Sequence, residues 1–226
     1  MTSRSIKKMK KPPYPLNTFL KIHRNLQTDS ILPSTLKTTR KKEMPLVLIV
    51  SDLHIPYRAS QLPELFSRML VPNRLSLILC AGNATSPEML AYFRSLSSNV
   101  ICTKGDLDEL GDLPETAVTT VGDVRLGVLH GHQVVPWGDK ESLAIWQRKL
   151  DVDVLISGHT HTQKYYEFDG KLFINPGSIT GAHSAFDCDV VPSFALLDIQ
   201  GTNVTTFLYQ IEEDELKVKR KTFAKQ

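Results

Sequence analysis

Apolar residues fall along this chain in two rhythms, and the rhythm changes near the middle. Residues 46–50 (Leu-Val-Leu-Ile-Val) are apolar throughout, the composition of a strand covered on both faces. Residues 60–70 place Leu62, Leu65, Phe66, Met69 and Leu70 at helical spacing, and Pro72-Asn73 ends that helix. A second buried strand follows at 75–80. A helix at 87–96 has Ser86 as N-cap and Pro87 in its first turn, and a third strand occupies 100–103. This βαβαβ order predicts parallel strands joined by right-handed crossovers.

The second half reads differently. Residues 117–121 and 124–129 flank Gly122-Asp123 as a hairpin, 142–150 form a helix, and 152–156 form a strand. Residues 163–168 and 171–174 flank Asp169-Gly170 as another hairpin, and 193–199, 203–210 and 216–222 alternate as antiparallel strands. The pattern predicts an α/β fold of two packed sheets with helices outside. Before residue 44 no period is sustained. Residues 1–43, rich in Lys, Pro, Thr and Ser, read as a disordered basic N-terminal extension ahead of a domain at 44–226, and a start at Met44 would leave that domain whole.

Composition changes this picture in three ways. The hydrophobic fraction of 41% suits a soluble globular domain with a sizeable core. The net charge of +3 hides an asymmetry: residues 1–43 hold eleven Lys/Arg against Asp29 and Glu43, so the remainder is net acidic. The domain therefore carries no electrostatic footprint for nucleic acid. No apolar run approaches the ~20 residues that span a bilayer, and the N-terminus lacks the apolar core of a secretory signal. Cys80, Cys102 and Cys188 cannot all pair, and the first two sit in apolar runs, as buried thiols of a reducing compartment do.

The candidate chemistry lies where apolar runs end. Ser51-Asp52-Leu53-His54, Gly82-Asn83, Gly105-Asp106-Leu107-Asp108, His130-Gly131-His132 and Gly158-His159-Thr160-His161 come in order, each following or closing a predicted strand. An open α/β sheet presents its functional loops at the carboxyl ends of its strands, so Asp52, Asn83, Asp106, His130 and His159 are expected to converge. Asp oxygen and His nitrogen suit Zn²⁺, Mn²⁺ or Fe.

On these motifs the chain resembles the calcineurin-like metallophosphoesterases. The resemblance implies a two-sheet β-sandwich flanked by helices. It implies one metal held by Asp52, His54 and His161, another held by Asp106, His130 and His159, and position 83 bridging the two. Two such ions can clamp the attacking and leaving oxygens of a phosphate ester. Three positions depart from the family pattern. Asn83 stands where a bridging Asp is usual, and Asp106 stands where Asn is usual. Leu107 occupies the place of the His that protonates the leaving group. His132 and His183 are the alternative acids the sequence offers. Weakly bound Zn²⁺ or Mn²⁺, not required for catalysis, is the expectation.

Longer strings narrow the resemblance. Asp52-Leu-His-Ile-Pro, Leu79-Cys-Ala-Gly-Asn83, His130-Gly-His-Gln-Val-Val-Pro-Trp-Gly-Asp139, Asp151-Val-Asp-Val-Leu-Ile-Ser-Gly-His-Thr-His161, Ile174-Asn-Pro-Gly-Ser178 and Pro192-Ser-Phe are similar to the small, phosphoesterase-fold subunits of the retromer coat, departures at 83 and 106–108 included. That resemblance implies a non-enzymatic scaffold, cytoplasmic and peripheral on endosomal membranes. The metal-site face would dock on an α-solenoid subunit. Regulators of Rab GTPases would bind a separate apolar patch at Leu46, Leu70, Val134, Val135, Leu196, Phe207 and Tyr209. Core packing is the competing reading for Leu196, Phe207 and Tyr209, which lie on predicted strands. A metal-dependent phosphodiesterase or phosphatase is the second function class, because the ligands are retained.

Overall fold

Strand β1 (Leu46–Val50) lies in the interior of a sheet, as its unbroken apolar run requires. The computed structural model describes residues 46–185 and 187–226, so the predicted extension 1–43 and Met44 lie outside the described residues. In chain order the elements are β1, α1 (Glu64–Met69), β2 (Leu77–Cys80), α2 (Pro87–Leu96), β3 (Val100–Cys102), β4 (Thr116–Val121), β5 (Val124–Leu129), α3 (Lys140–Leu150), β6 (Val154–Ser157), β7 (Lys164–Phe168), β8 (Lys171–Asn175), β9 (Ser193–Gln200), β10 (Asn203–Glu212) and β11 (Glu215–Ala224). No helix among the described residues is long and apolar enough to cross a membrane.

Six strands form one sheet in the order β11-β10-β9-β1-β2-β3, and five form the other in the order β4-β5-β6-β8-β7. The βαβαβ half gives the parallel run β1-β2-β3, and the last three strands add to it antiparallel through β9. In the second sheet β5, β6 and β8 run parallel. The expected two-sheet architecture is therefore present, with the parallel strands of both sheets delivering loops at their carboxyl ends.

Between the sheets lies one apolar layer. Val47 and Ile49 of β1, Ala195 and Leu197 of β9, Leu126 and Val128 of β5 and Ile156 of β6 belong to it. Alternation along each strand sends the intervening residues to the outer faces. On the outer face of the five-stranded sheet, α3 packs Leu143 and Ala144 with Val134, Leu155 and Phe173. On the outer face of the six-stranded sheet, the Phe66 ring of α1 meets Phe194 edge-on, and Phe194 stacks on Tyr209.

Helix boundaries differ from the sequence pattern for local reasons. α1 covers only Glu64–Met69, because Pro63 stands at its N-cap and Leu70 is extended. α2 starts as expected, with the Ser86 hydroxyl accepting from the Met89 N–H. α3 begins two residues before the predicted 142, because the Asp139 carboxylate accepts from the Ser142 N–H and caps the helix there.

Candidate metal centre

Five of the seven predicted ligands have left-handed backbone: Asp52, His54, Asn83, His159 and His161 all show φ between +51° and +68°. Outside glycine this conformation costs roughly 1–2 kcal/mol per residue. It bends the chain sharply just after a strand and turns these side chains inward rather than along the strand. Two glycines let the loops close up. A Cβ on Gly158 would overlap the Ser51 hydroxyl, and one on Gly105 would overlap the Asn83 amide oxygen. Main-chain bonds then tie the loops together: the Leu53 and His54 N–H groups both donate to the Asn83 carbonyl, and the Gly158 N–H donates to the His130 carbonyl.

The side chains meet in two groups. Asp52 Oδ1 lies 3.6 Å from His54 Nε2 and 3.3 Å from His161 Nε2, and the two nitrogens are 3.2 Å apart. Asp106 Oδ1 lies 3.0 Å from His130 Nε2 and 3.6 Å from His159 Nδ1. The groups adjoin, with Asp52 Oδ1 3.8 Å from His130 Nε2. Carbonyl oxygens fix two of the rings. His130 Nδ1 is 2.7 Å from the Ala81 carbonyl, and His161 Nδ1 is 2.6 Å from that of Ala182. A carbonyl only accepts, so each Nδ1 carries a proton and each Nε2 faces the centre. The Ser51 hydroxyl and the His159 N–H hold Asp52 Oδ2, leaving Oδ1 directed inward.

The electrostatics call for positive charge. Burial alone would raise the Asp52 carboxyl, but the imidazoles of His130, His161 and His54 hold it far below the ordinary carboxylate range. Hydrogen bonds from His130 and His159 do the same to Asp106. Burial pushes His54 down. At His130 and His161 burial acts in the same sense, but the adjoining carboxylates outweigh it and raise both. Two carboxylates among four imidazoles, with ring nitrogens turned inward, fit a divalent transition ion.

Asn83 is the exception within this set. Its Oδ1 accepts from the Leu107 N–H at 3.0 Å, which turns its NH₂ toward the ligands. That NH₂ lies 2.9 Å from Asp106 Oδ1, 3.0 Å from His130 Nε2 and 3.5 Å from Asp52 Oδ1. An amide nitrogen is a donor and has no lone pair free for a metal.

Residues 46–202 match the calcineurin-like phosphoesterase superfamily domain. The vacuolar protein sorting-associated protein 29 of Schizosaccharomyces pombe is 40% identical over 184 residues, covering 80% of this chain and 98% of that protein. The chain belongs to the Vps29 family. Its architecture matches that of Vps29 from Cryptosporidium parvum with a TM-score of 0.78 at 40% identity, covering 80% of this chain and 99% of that one. It likewise matches Entamoeba histolytica Vps29 complexed with Zn²⁺, with a TM-score of 0.75 at 44% identity over 79% of this chain and 99% of that one.

In this Vps29-family chain all seven predicted metal-site residues converge. The sequence reading missed two contributors. Asp108 is buried, and its carboxylate accepts from the Asn83, Thr85 and Gly105 N–H groups at 2.7–2.8 Å, clamping the loops after β2 and β3 together. The signal was its place two residues after Asp106. Trp137 sets its ring edge-on to His159 at 4.4 Å, one wall of the centre. His132 stands close enough to Asp106 and His130 to share an ion with them. His183 is exposed, and its carbonyl accepts from Arg58.

The predicted partner residues do not form one exposed patch. Val135 is 76% exposed, but Val134 beside it is buried under α3 on the outer face of the five-stranded sheet. Leu46, Leu196, Phe207 and Tyr209 belong to the other sheet, whose opposite face packs the inter-sheet core. Leu46 is half-buried, whereas Leu70, Leu196, Phe207 and Tyr209 are buried. The alternation of β9 and β10 is read equally well as surface or core, and α1 packing through Phe66 and Phe194 favours core.

Proposed function

We propose that this chain is a non-catalytic scaffold subunit of the retromer coat, which retrieves membrane cargo from endosomes. The observation that carries the reading is Leu107. It takes the place of the family's proton-donating His, it is 43% exposed, and its side chain has no proton to give. A positioned acid contributes about 10²–10⁴ in rate. Bound Zn²⁺ or Mn²⁺ would supply Lewis acidity, with Asp52, His54 and His161 and Asp106, His130 and His159 as its ligands. With leucine in the place of that acid, we read the centre as a brace that holds three strand-end loops in a docking shape. Similarity to Vps29 proteins over nearly their whole length supports the coat assignment.

In this reading the loops at 54–57, 83–86 and 106–108 dock on the α-solenoid subunit. Regulators of Rab GTPases bind the outer side of the six-stranded sheet near Leu46. The coat keeps the chain in the cytoplasm, peripheral on endosomal membranes. A pull-down of the full chain from cells is expected to capture the solenoid subunit, while the purified protein with Mn²⁺ or Zn²⁺ hydrolyses p-nitrophenyl phosphate and bis-p-nitrophenyl phosphate negligibly. The retained ligands favour a second reading, a metal-dependent phosphodiesterase or phosphatase. Turnover that vanishes in Asp52→Ala, with no solenoid captured, would establish that reading instead.

A further inference from the structure

The Asn83 side chain is gripped at both ends by groups of fixed polarity. A main-chain N–H can only donate, so the Leu107 N–H at 3.0 Å requires Oδ1 at that end. A carboxylate can only accept, so Asp106 Oδ1 at 2.9 Å, with Asp52 Oδ1 at 3.5 Å, requires the NH₂ at the other. The amide therefore holds the two carboxylates of the two ligand groups together by donation, at the position where the family pattern has a bridging anion. It is packed against Gly105, whose missing Cβ leaves room for the amide oxygen. Divalent cations held by Asp52, His54 and His161 and by Asp106, His130 and His159 would find a lone pair at this position only on the amide oxygen. Supplying it takes a half-turn of the amide, which brings the NH₂ against the Leu107 N–H, donor against donor.

We propose that Asn83 is a two-position amide that couples cation occupancy of the centre to the exposed loop at Leu107. In one position its NH₂ bridges Asp52 and Asp106 and its Oδ1 anchors Leu107. In the other, Oδ1 serves the cation and the Leu107 N–H is released to solvent. The neighbouring anchor does not change, because the Asp108 carboxylate holds the Asn83, Thr85 and Gly105 N–H groups from the far side of the loop. The released segment is short, and it carries one of the exposed large apolar side chains of the molecule. The inference rests on the centre alone and holds whether the chain is a scaffold or an enzyme.

Amide hydrogen exchange followed by NMR on the full chain, with Zn²⁺ alone as the probe, tests this. Zinc saturation is expected to lower the protection of the Leu107 N–H about tenfold, the equivalent of one lost hydrogen bond. The Asn83, Thr85 and Gly105 N–H groups should keep theirs, which a general loosening of the loop would not allow. In Asn83→Asp one carboxylate oxygen can accept from Leu107 while the other faces the cation. That variant should keep Leu107 protected when zinc is bound and should bind zinc at least about tenfold more tightly. The proposal is overturned if Leu107 protection is unchanged or rises in the wild type, if zinc does not bind, or if Asn83→Asp binds it no better. Should Asn83→Asp fail to fold, the wild-type comparison of Leu107 with its three neighbours decides alone.

Discussion

At the scale of single residues Asp108 ties two loops together, its carboxylate serving three main-chain N–H groups. Asp108→Ala leaves those donors without an acceptor, and each unmet buried donor costs about 1–3 kcal/mol. Urea unfolding of this variant is expected to show a loss of about 3 kcal/mol or more; a loss under about 1 kcal/mol would mean water replaces the carboxylate freely. Asp153 plays a similar part at the opposite end of the sheets. It is buried and accepts from the Arg125 N–H, and it pairs with Lys171 and Lys225. Burial alone would raise its carboxyl, but the Arg125 N–H and the two lysines lower it from 3.8 to about 2. A carboxyl depressed on folding stabilises the native state above its unfolded value, and that stability is lost as pH falls from about 4 through about 2. The contribution is about 2 kcal/mol at neutral pH. Wild type and Asp153→Asn should therefore differ in urea midpoint at neutral pH and converge as pH approaches about 2. A gap independent of pH would assign the effect to packing.

At the scale of elements, β9 and β10 carry the clearest test of surface against core. Leu196 is 0% exposed, opposite Leu48 of β1 and Phe207 of β10. A carboxylate buried there has no partner to offset its lost hydration, and such substitutions cost upward of about 4 kcal/mol. Leu196→Glu is expected to abolish the cooperative thermal transition seen by circular dichroism. A folded Leu196→Glu variant with an unchanged melting temperature would return this face to the surface and revive the single-patch reading. Strands were the most legible elements, because an unbroken or alternating apolar run survives any context that buries it. The short α1 and the early start of α3 were less so. Their ends are set by Pro63 and by the Asp139 cap, local contacts that outweigh the hydrophobic period.

At the scale of the whole molecule, the centre joins the two sheets. Asp52, Asn83 and Asp106 come from the parallel strands of one sheet, and His130, His159 and His161 from those of the other. An ion bound across them binds only the folded chain, so saturating Zn²⁺ is expected to raise stability by about 2.7 kcal/mol at a hundredfold excess over Kd. Asp52→Ala combined with His159→Ala should abolish the rise in melting temperature; a double variant that keeps the full rise would place the ion elsewhere. The sequence by itself determined the two-sheet architecture and the Asp, Asn and His side chains that converge at the candidate centre. Apolar period sets which face of a strand is buried, and Asp and His at strand ends carry their chemistry with them. It also determined that position 107 offers no acid, since a leucine side chain has no ionisable proton in any fold. Only the tertiary structure decided the rest. Which end of the Asn83 amide faces the ligands depends on the Leu107 N–H, and the part played by Asp108 depends on two loops meeting. Val135 is open while Leu196 is closed, because burial is a property of the layers that cover a residue and not of its own side chain.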